Sequence, residues 1–134
     1  MFLTEPWISA DAVRQLYSCF HSVEELDLYL LLKQDQPQRR TAAQLGRELA
    51  LSEAITVQAL QHLVACGLID QPGANSPLEY CYATHVRHPS HVLDELERLY
   101  RENRFDLVAL MARQAIERIR QQARVAFSPK RPKG

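Results

Sequence analysis

The chain has 134 residues, with 16 Lys and Arg balanced by 16 Asp and Glu, 46% hydrophobic residues, 24% charged residues and only 4 Gly. This is the composition of one soluble, mainly helical domain large enough for its own core. It excludes a disulfide scaffold, because three cysteines are an odd number without a CxxC pair, and a membrane span, because the strongest apolar run, Leu28–Leu32, is far short of about 20 residues.

The zero net charge hides an asymmetry. Residues 1–97 hold 6 basic residues against 13 acidic ones, net −7, while residues 98–134 hold 10 against 3, net +7. The opening Met-Phe-Leu-Thr-Glu-Pro-Trp has neither a basic leader nor an apolar run of signal length, so a cytoplasmic location is expected.

In chain order, Ser9 is placed to cap a first helix with Val13, Leu16, Tyr17 and Phe20 on one face, and Trp7 and Ile8 can pack back on its start. Ser22-Val-Glu-Glu25 has the form of a capping box before a second helix. That helix is apolar nearly all round from Leu28 to Leu32, as a central helix touched from several sides would be, and Pro37 stops it. Gln38-Arg39-Arg40 is a polar lead into the third helix.

Thr41 with Gln44 forms a second capping box, and Ala42, Leu45 and Leu49 share a helical face. Ser52 starts the next helix after almost no linker, with Ala59, Leu60 and Leu63 inward, and Gly67 stands where a left-handed residue ends it. Leu68–Asp70 and Leu78–Thr84 read as strands around the turn-rich Pro72–Pro77. Ser90 is placed to cap a further helix with Leu93, Leu96 and Tyr100 inward. A break at Asn103-Arg104 precedes the longest helix, from Phe105 to about Val125, and residues 128–134 form a basic tail expected to be disordered.

Helix, tight turn, helix and hairpin over residues 41–84 predict a winged helix-turn-helix with flanking N- and C-terminal helices, within one domain spanning residues 1–127. The framework Leu45, Leu49-Ala50, Leu51-Ser52, Leu60, Leu63 and Gly67-Leu68-Ile69 resembles that of bacterial winged-helix regulators, and the order of elements is similar to that of MarR-type regulators. The resemblance implies a homodimeric transcriptional regulator that binds double-stranded DNA, paired through its first and last helices.

On the residues themselves, Gln58, Gln61 and His62 are the candidate base readers and Arg39, Arg40 and Arg47 the candidate phosphate contacts. Between Ser52 and Gly67 there is no Lys or Arg, and Gln71–Tyr82 has none either, whereas the MarR pattern carries arginines at the wing. An uncharged reading face with Ile55 and Val57 towards its exposed side supports an alternative, a module that binds a protein partner. Phe105, Val108, Ala112, Ile116 and Ile119, within a longer stripe at three- and four-residue spacing, are the candidate dimerisation residues of the C-terminal helices, residues 90–127. The arginines from Arg98 to Arg124 are a third basic group.

Cys81, His85, His88 and His91 are zinc-ligand types, but their spacing matches no closed site, so no metal and no cofactor is expected. Cys19 lies near Glu24 and Glu25 and reads as a buried, inert thiol. No phosphate loop, GxSxG, HExxH or paired-carboxylate constellation is present, and an enzyme is not expected.

Overall fold

In the computed structural model, which describes residues 5–83 and 87–127, the chain forms six helices and a small antiparallel sheet. The elements are α1 (Ala10–Cys19), α2 (Val23–Asp35), β1 (Arg40–Thr41), α3 (Ala42–Leu49), α4 (Glu53–Ala65), β2 (Ile69–Asp70), β3 (Glu79–Tyr82), α5 (Ser90–Glu102) and α6 (Arg104–Phe127). The basic tail, residues 128–134, and Thr84 and His85 lie outside the described residues.

Local chemistry sets most helix boundaries. Ser9, Ser22, Thr41 and Ser52 each accept a hydrogen bond from a first-turn N–H, and Gln44 answers Thr41 to complete a capping box. At Ser22 the reciprocal half differs from expectation: Glu25 reaches one residue further back, to the N–H of His21 at 2.9 Å. At α5 the helix starts one residue early, with Pro89 in the cap position and no side-chain cap, so Ser90 is the first helical residue and not its cap. Glu95 of α5 instead supplies both carboxylate oxygens to Ser9, at 2.8 Å to its N–H and 2.7 Å to its hydroxyl, and so supports the start of α1.

Two helices end in the same way. After α4, Gly67 takes φ +75°, and the N–H groups of Gly67 and Leu68 return to the carbonyls of Val64 and Leu63, each at 3.0 Å. After α3 the left-handed residue is Ala50, φ 56°, with Leu51 returning to Gly46 at 2.8 Å. The turn that joins α3 to α4 is therefore only Ala50-Leu51-Ser52, and the two helices pack on each other. Gly46 makes this approach possible, since a Cβ there would lie 2.9 Å from Thr56 Oγ1 and 3.0 Å from Leu51 O.

The sheet order is β1-β3-β2, with Arg40 opposite Tyr80 and Ile69 opposite Tyr82. Where the sequence suggests only a polar lead, at Gln38-Arg39-Arg40, the fold has β1; a two-residue strand has too little alternation to register as a pattern. α2 packs on both α4 and β3, and α1 packs on α5 and α6. One core runs from Ile8 to Met111, with Leu28, Tyr29 and Leu32 of α2 at its middle and Trp7 packed on its margin.

Candidate functional site

The outward surface of α4 is set by its inward one. Thr56, Ala59, Leu60 and Leu63 are buried, which turns Glu53, Ala54, Ile55, Gln58, Gln61 and Ala65 to solvent. Gln58 and Gln61 stand where side chains can reach a partner. Ile55 is 51% exposed. Val57 differs from expectation: it is half-buried against the core, because it neighbours the buried Thr56 and follows the shoulder of the helix.

His62 also departs from the outward set. Its ring turns towards the start of α2, where Nδ1 meets Glu25 Oε1 at 2.8 Å, and it stacks on His21 with ring centroids 4.1 Å apart. Glu25 is buried, so the pair sits where few waters compete for it. Gln58 and Gln61 are thus the outward members of the three candidate readers.

The three arginines near α3 divide likewise. Arg39 and Arg47 are exposed, and no ion pair involves either among the described residues. Arg40 on β1 is held between Asp35 at the end of α2 and Glu48 on α3, and these two carboxylates neutralise it. Its guanidinium is raised above its ordinary range, with the Glu48 hydrogen bond as the main cause. Arg40 therefore serves to tie β1 to its neighbouring helices. The clue to this in the sequence is the acidic pair Asp35 and Glu48, each a few residues away on either side.

Among the described residues, most of the arginines from Arg98 to Arg124 are committed to internal contacts. Arg118 donates to the carbonyls of Leu16 at 3.1 Å and Tyr17 at 2.7 Å, closing the end of α1, and lies over the Tyr17 ring at 4.8 Å. Burial lowers its pKa from the ordinary guanidinium value. Arg113 pairs with Glu5 at 3.0 Å, Arg98 with Glu102 at 3.3 Å, and Arg104 lies over Tyr100 while that phenol donates to Asp27. Arg120 and Arg124 are exposed and enter no ion pair among the described residues.

The face of α6 that packs on the core consists of Leu107, Leu110, Met111 and Gln114, and Gln114 donates to Val13 O at 3.1 Å. The candidate dimerisation residues lie on the other side: Phe105 is 87% exposed, Ile116 51% and Ile119 64%, and Val108 and Ala112 are open as well. An apolar stripe of this length on a solvated helix is an exception to normal surface composition.

His88 is held by Cys66 O at 2.7 Å and by Gln15 at 3.2 Å, and His91 is exposed. Among the described residues no group of three His, Cys, Asp or Glu side chains is placed to hold a metal ion. No helix among them is long and apolar enough to cross a membrane. Comparison of the chain with protein-family models, with curated proteins and with solved structures finds no match in any of the three.

Proposed function

We propose that the chain is a winged helix-turn-helix protein of the transcriptional-regulator class, which docks α4 on double-stranded DNA as a homodimer. The observation that carries the reading is the α3–turn–α4 frame. A three-residue turn and the Gly46 approach lock two helices together, and the second presents Gln58 and Gln61 outward, while Arg39 just before the motif and Arg47 on α3 are exposed. A short turn between crossed helices, followed by a hairpin, is the arrangement that lets one helix enter a major groove while the other crosses the backbone. β2 and β3 would form the wing.

Contacts of this kind are few and carry little charge. Of the three basic contacts that residue type suggests, only Arg39 and Arg47 are available to phosphate, since Arg40 is already neutralised. Affinity would rest on two subunits acting together. The α6 stripe supports that pairing, because Phe105, Val108, Ala112, Ile116 and Ile119 are spaced by three, four, four and three, a pattern that reads the same in both directions. Two copies of α6 running antiparallel and crossing at Ala112 would set Phe105 beside Ile119 and Val108 beside Ile116, with the smallest side chain at the point of closest approach. The same arrangement puts Asp106 on the same side of the pair as the partner's Arg120, a flanking attraction that parallel pairing would lose.

A second reading rests on Ile55. An exposed isoleucine at the centre of a face without cations suits a protein surface better than phosphate, and it supports a winged-helix module that binds a protein partner through Ile55 and the edge of Val57. The two readings separate on variants. Arg39→Ala with Arg47→Ala is expected to abolish a mobility shift of genomic fragments and to leave any protein partner bound. Loss of a partner in Ile55→Asp, with no DNA shift in the wild type at low salt, would instead establish the second reading.

A further inference from the structure

Around the C-terminus of α4, three side chains form a relay that neither reading of the motif uses. Glu25 Oε1 lies 2.8 Å from His62 Nδ1, and His62 Nε2 lies 3.6 Å from Cys66 Sγ. His62 and Cys66 are one helical turn apart on α4, so the helix itself holds imidazole and sulfur side by side. The buried carboxylate fixes the tautomer with hydrogen on Nδ1, which leaves Nε2 as an acceptor facing the thiol. Nucleophile, base and orienting acid thus stand in hydrogen-bonding sequence.

Cys66 is half-buried, and its thiol lies 3.9 Å from the Ser18 carbonyl, beside the end of α1 where Cys19 stands. The two sulfurs differ in character. Burial, with the neighbouring Cys66 next, pushes the Cys19 thiol up to about 12, so Cys19 is a poor first nucleophile. Cys66 instead has the His62 ring beside it to take its proton, with the Glu25 carboxylate against the other nitrogen of that ring.

We propose that Cys66 is a reactive-thiol site for small-molecule disulfides, with His62 as its base, Glu25 positioning that base, and Cys19 as the resolving thiol. In the first step the Cys66 proton passes to His62 and the thiolate attacks one sulfur of the disulfide, breaking its S–S bond. The products are a Cys66 mixed disulfide and a released thiolate, which is protonated from His62. In the second step Cys19 attacks the Cys66 sulfur and gives its proton to the second departing thiolate. The protein is oxidised by two electrons and the small disulfide is reduced to two thiols. The product would tie the end of α4 to the end of α1.

The test uses the full chain with Cys81→Ser, incubated with oxidised glutathione near neutral pH and followed by intact mass and non-reducing peptide mapping. The expected course is a glutathione adduct on Cys66 that gives way to a Cys19–Cys66 disulfide, whereas Cys19→Ser keeps the adduct. His62→Gln should slow the first step by about a hundredfold or more while the thermal transition confirms a folded protein. Glu25→Gln should slow it less. Since Glu25→Gln can weaken the start of α2, the wild type is also compared with itself in denaturant, where Cys66 should react more slowly than in the folded chain. The proposal is overturned if the folded Cys66 reacts no faster than the unfolded one, if His62→Gln leaves the rate unchanged, or if Cys19→Ser leaves the final product unchanged.

Discussion

Arg118 illustrates how far a residue's role can depart from its type. Counted as one of ten basic residues in the C-terminal segment, it belongs to a candidate electrostatic surface; in the fold it closes α1 by donating to the Tyr17 carbonyl in the last turn and by adding a second donor to the Leu16 carbonyl, which already accepts from the Phe20 N–H. Arg118→Ala is expected to destabilise the protein by about 1–3 kcal/mol, since it removes the charged donor from the part-buried Tyr17 carbonyl. Lys at this position should recover only part, having no fork to span two carbonyls. Chemical denaturation of the three proteins checks the order. Gly46→Ala should also lower the thermal midpoint by several degrees. Helix propensity gains up to about 1 kcal/mol, but the new Cβ meets Thr56 and the Leu51 carbonyl, and overpacking of that kind costs about 1–3 kcal/mol. His21 has a pH signature. Burial first, then Arg118 and His62, lowers its imidazole to about 4. The unfolded chain binds this proton near its ordinary value of about 6.5, so the folded state loses stability as pH falls from there towards 4. The residue is still partly open to water, and the effect is expected to be small. His21→Gln should show a shallower fall of thermal midpoint over that range than the wild type.

Elements are legible in the sequence wherever a short-range signal fixes them. Ser9, Thr41 with Gln44, Ser52 and Gly67 are local devices, and each acts in the fold as its position in the chain suggests. The long-range features are not legible in this way. β1 exists because β3 supplies its partner, and Glu95 supports α1 from 86 residues away. Helical spacing alone places His62 and Val57 outward; spacing gives an angle about the axis, whereas Glu25 on another helix decides which way a ring near the boundary turns. α6 is the opposite case. Its apolar residues exceed what one small domain needs, and in the fold Leu107, Leu110 and Met111 take the core while Phe105, Ile116 and Ile119 remain open. If that open face is where two copies meet, Ile116→Glu should convert a dimer to a monomer near 15.4 kDa in light scattering at micromolar concentration, with the helical signal kept. A wild type that is already monomeric would rule out the pairing.

For the whole molecule the central question is electrostatic. The segment carrying α1 to α4 and the hairpin lies within the residues whose net charge is −7, and the committed arginines, Arg40 and Arg118 among them, offer it little relief. A DNA complex would therefore depend on Arg39 and Arg47 from each of two subunits, helped by the exposed Arg120 and Arg124. Few phosphate contacts make for weak binding and a modest salt slope, because each neutralised phosphate contributes close to one power of the salt concentration. The most direct measurement is a fluorescence-anisotropy titration of the wild type against pooled genomic fragments at several salt concentrations, beside Arg39→Ala with Arg47→Ala. Saturable binding at low salt is expected, with a log–log slope of about −3 to −4 for four contacts and loss of binding in the double variant. Absence of binding at the lowest salt, or binding that the double variant retains unchanged, would contradict the DNA-binding reading.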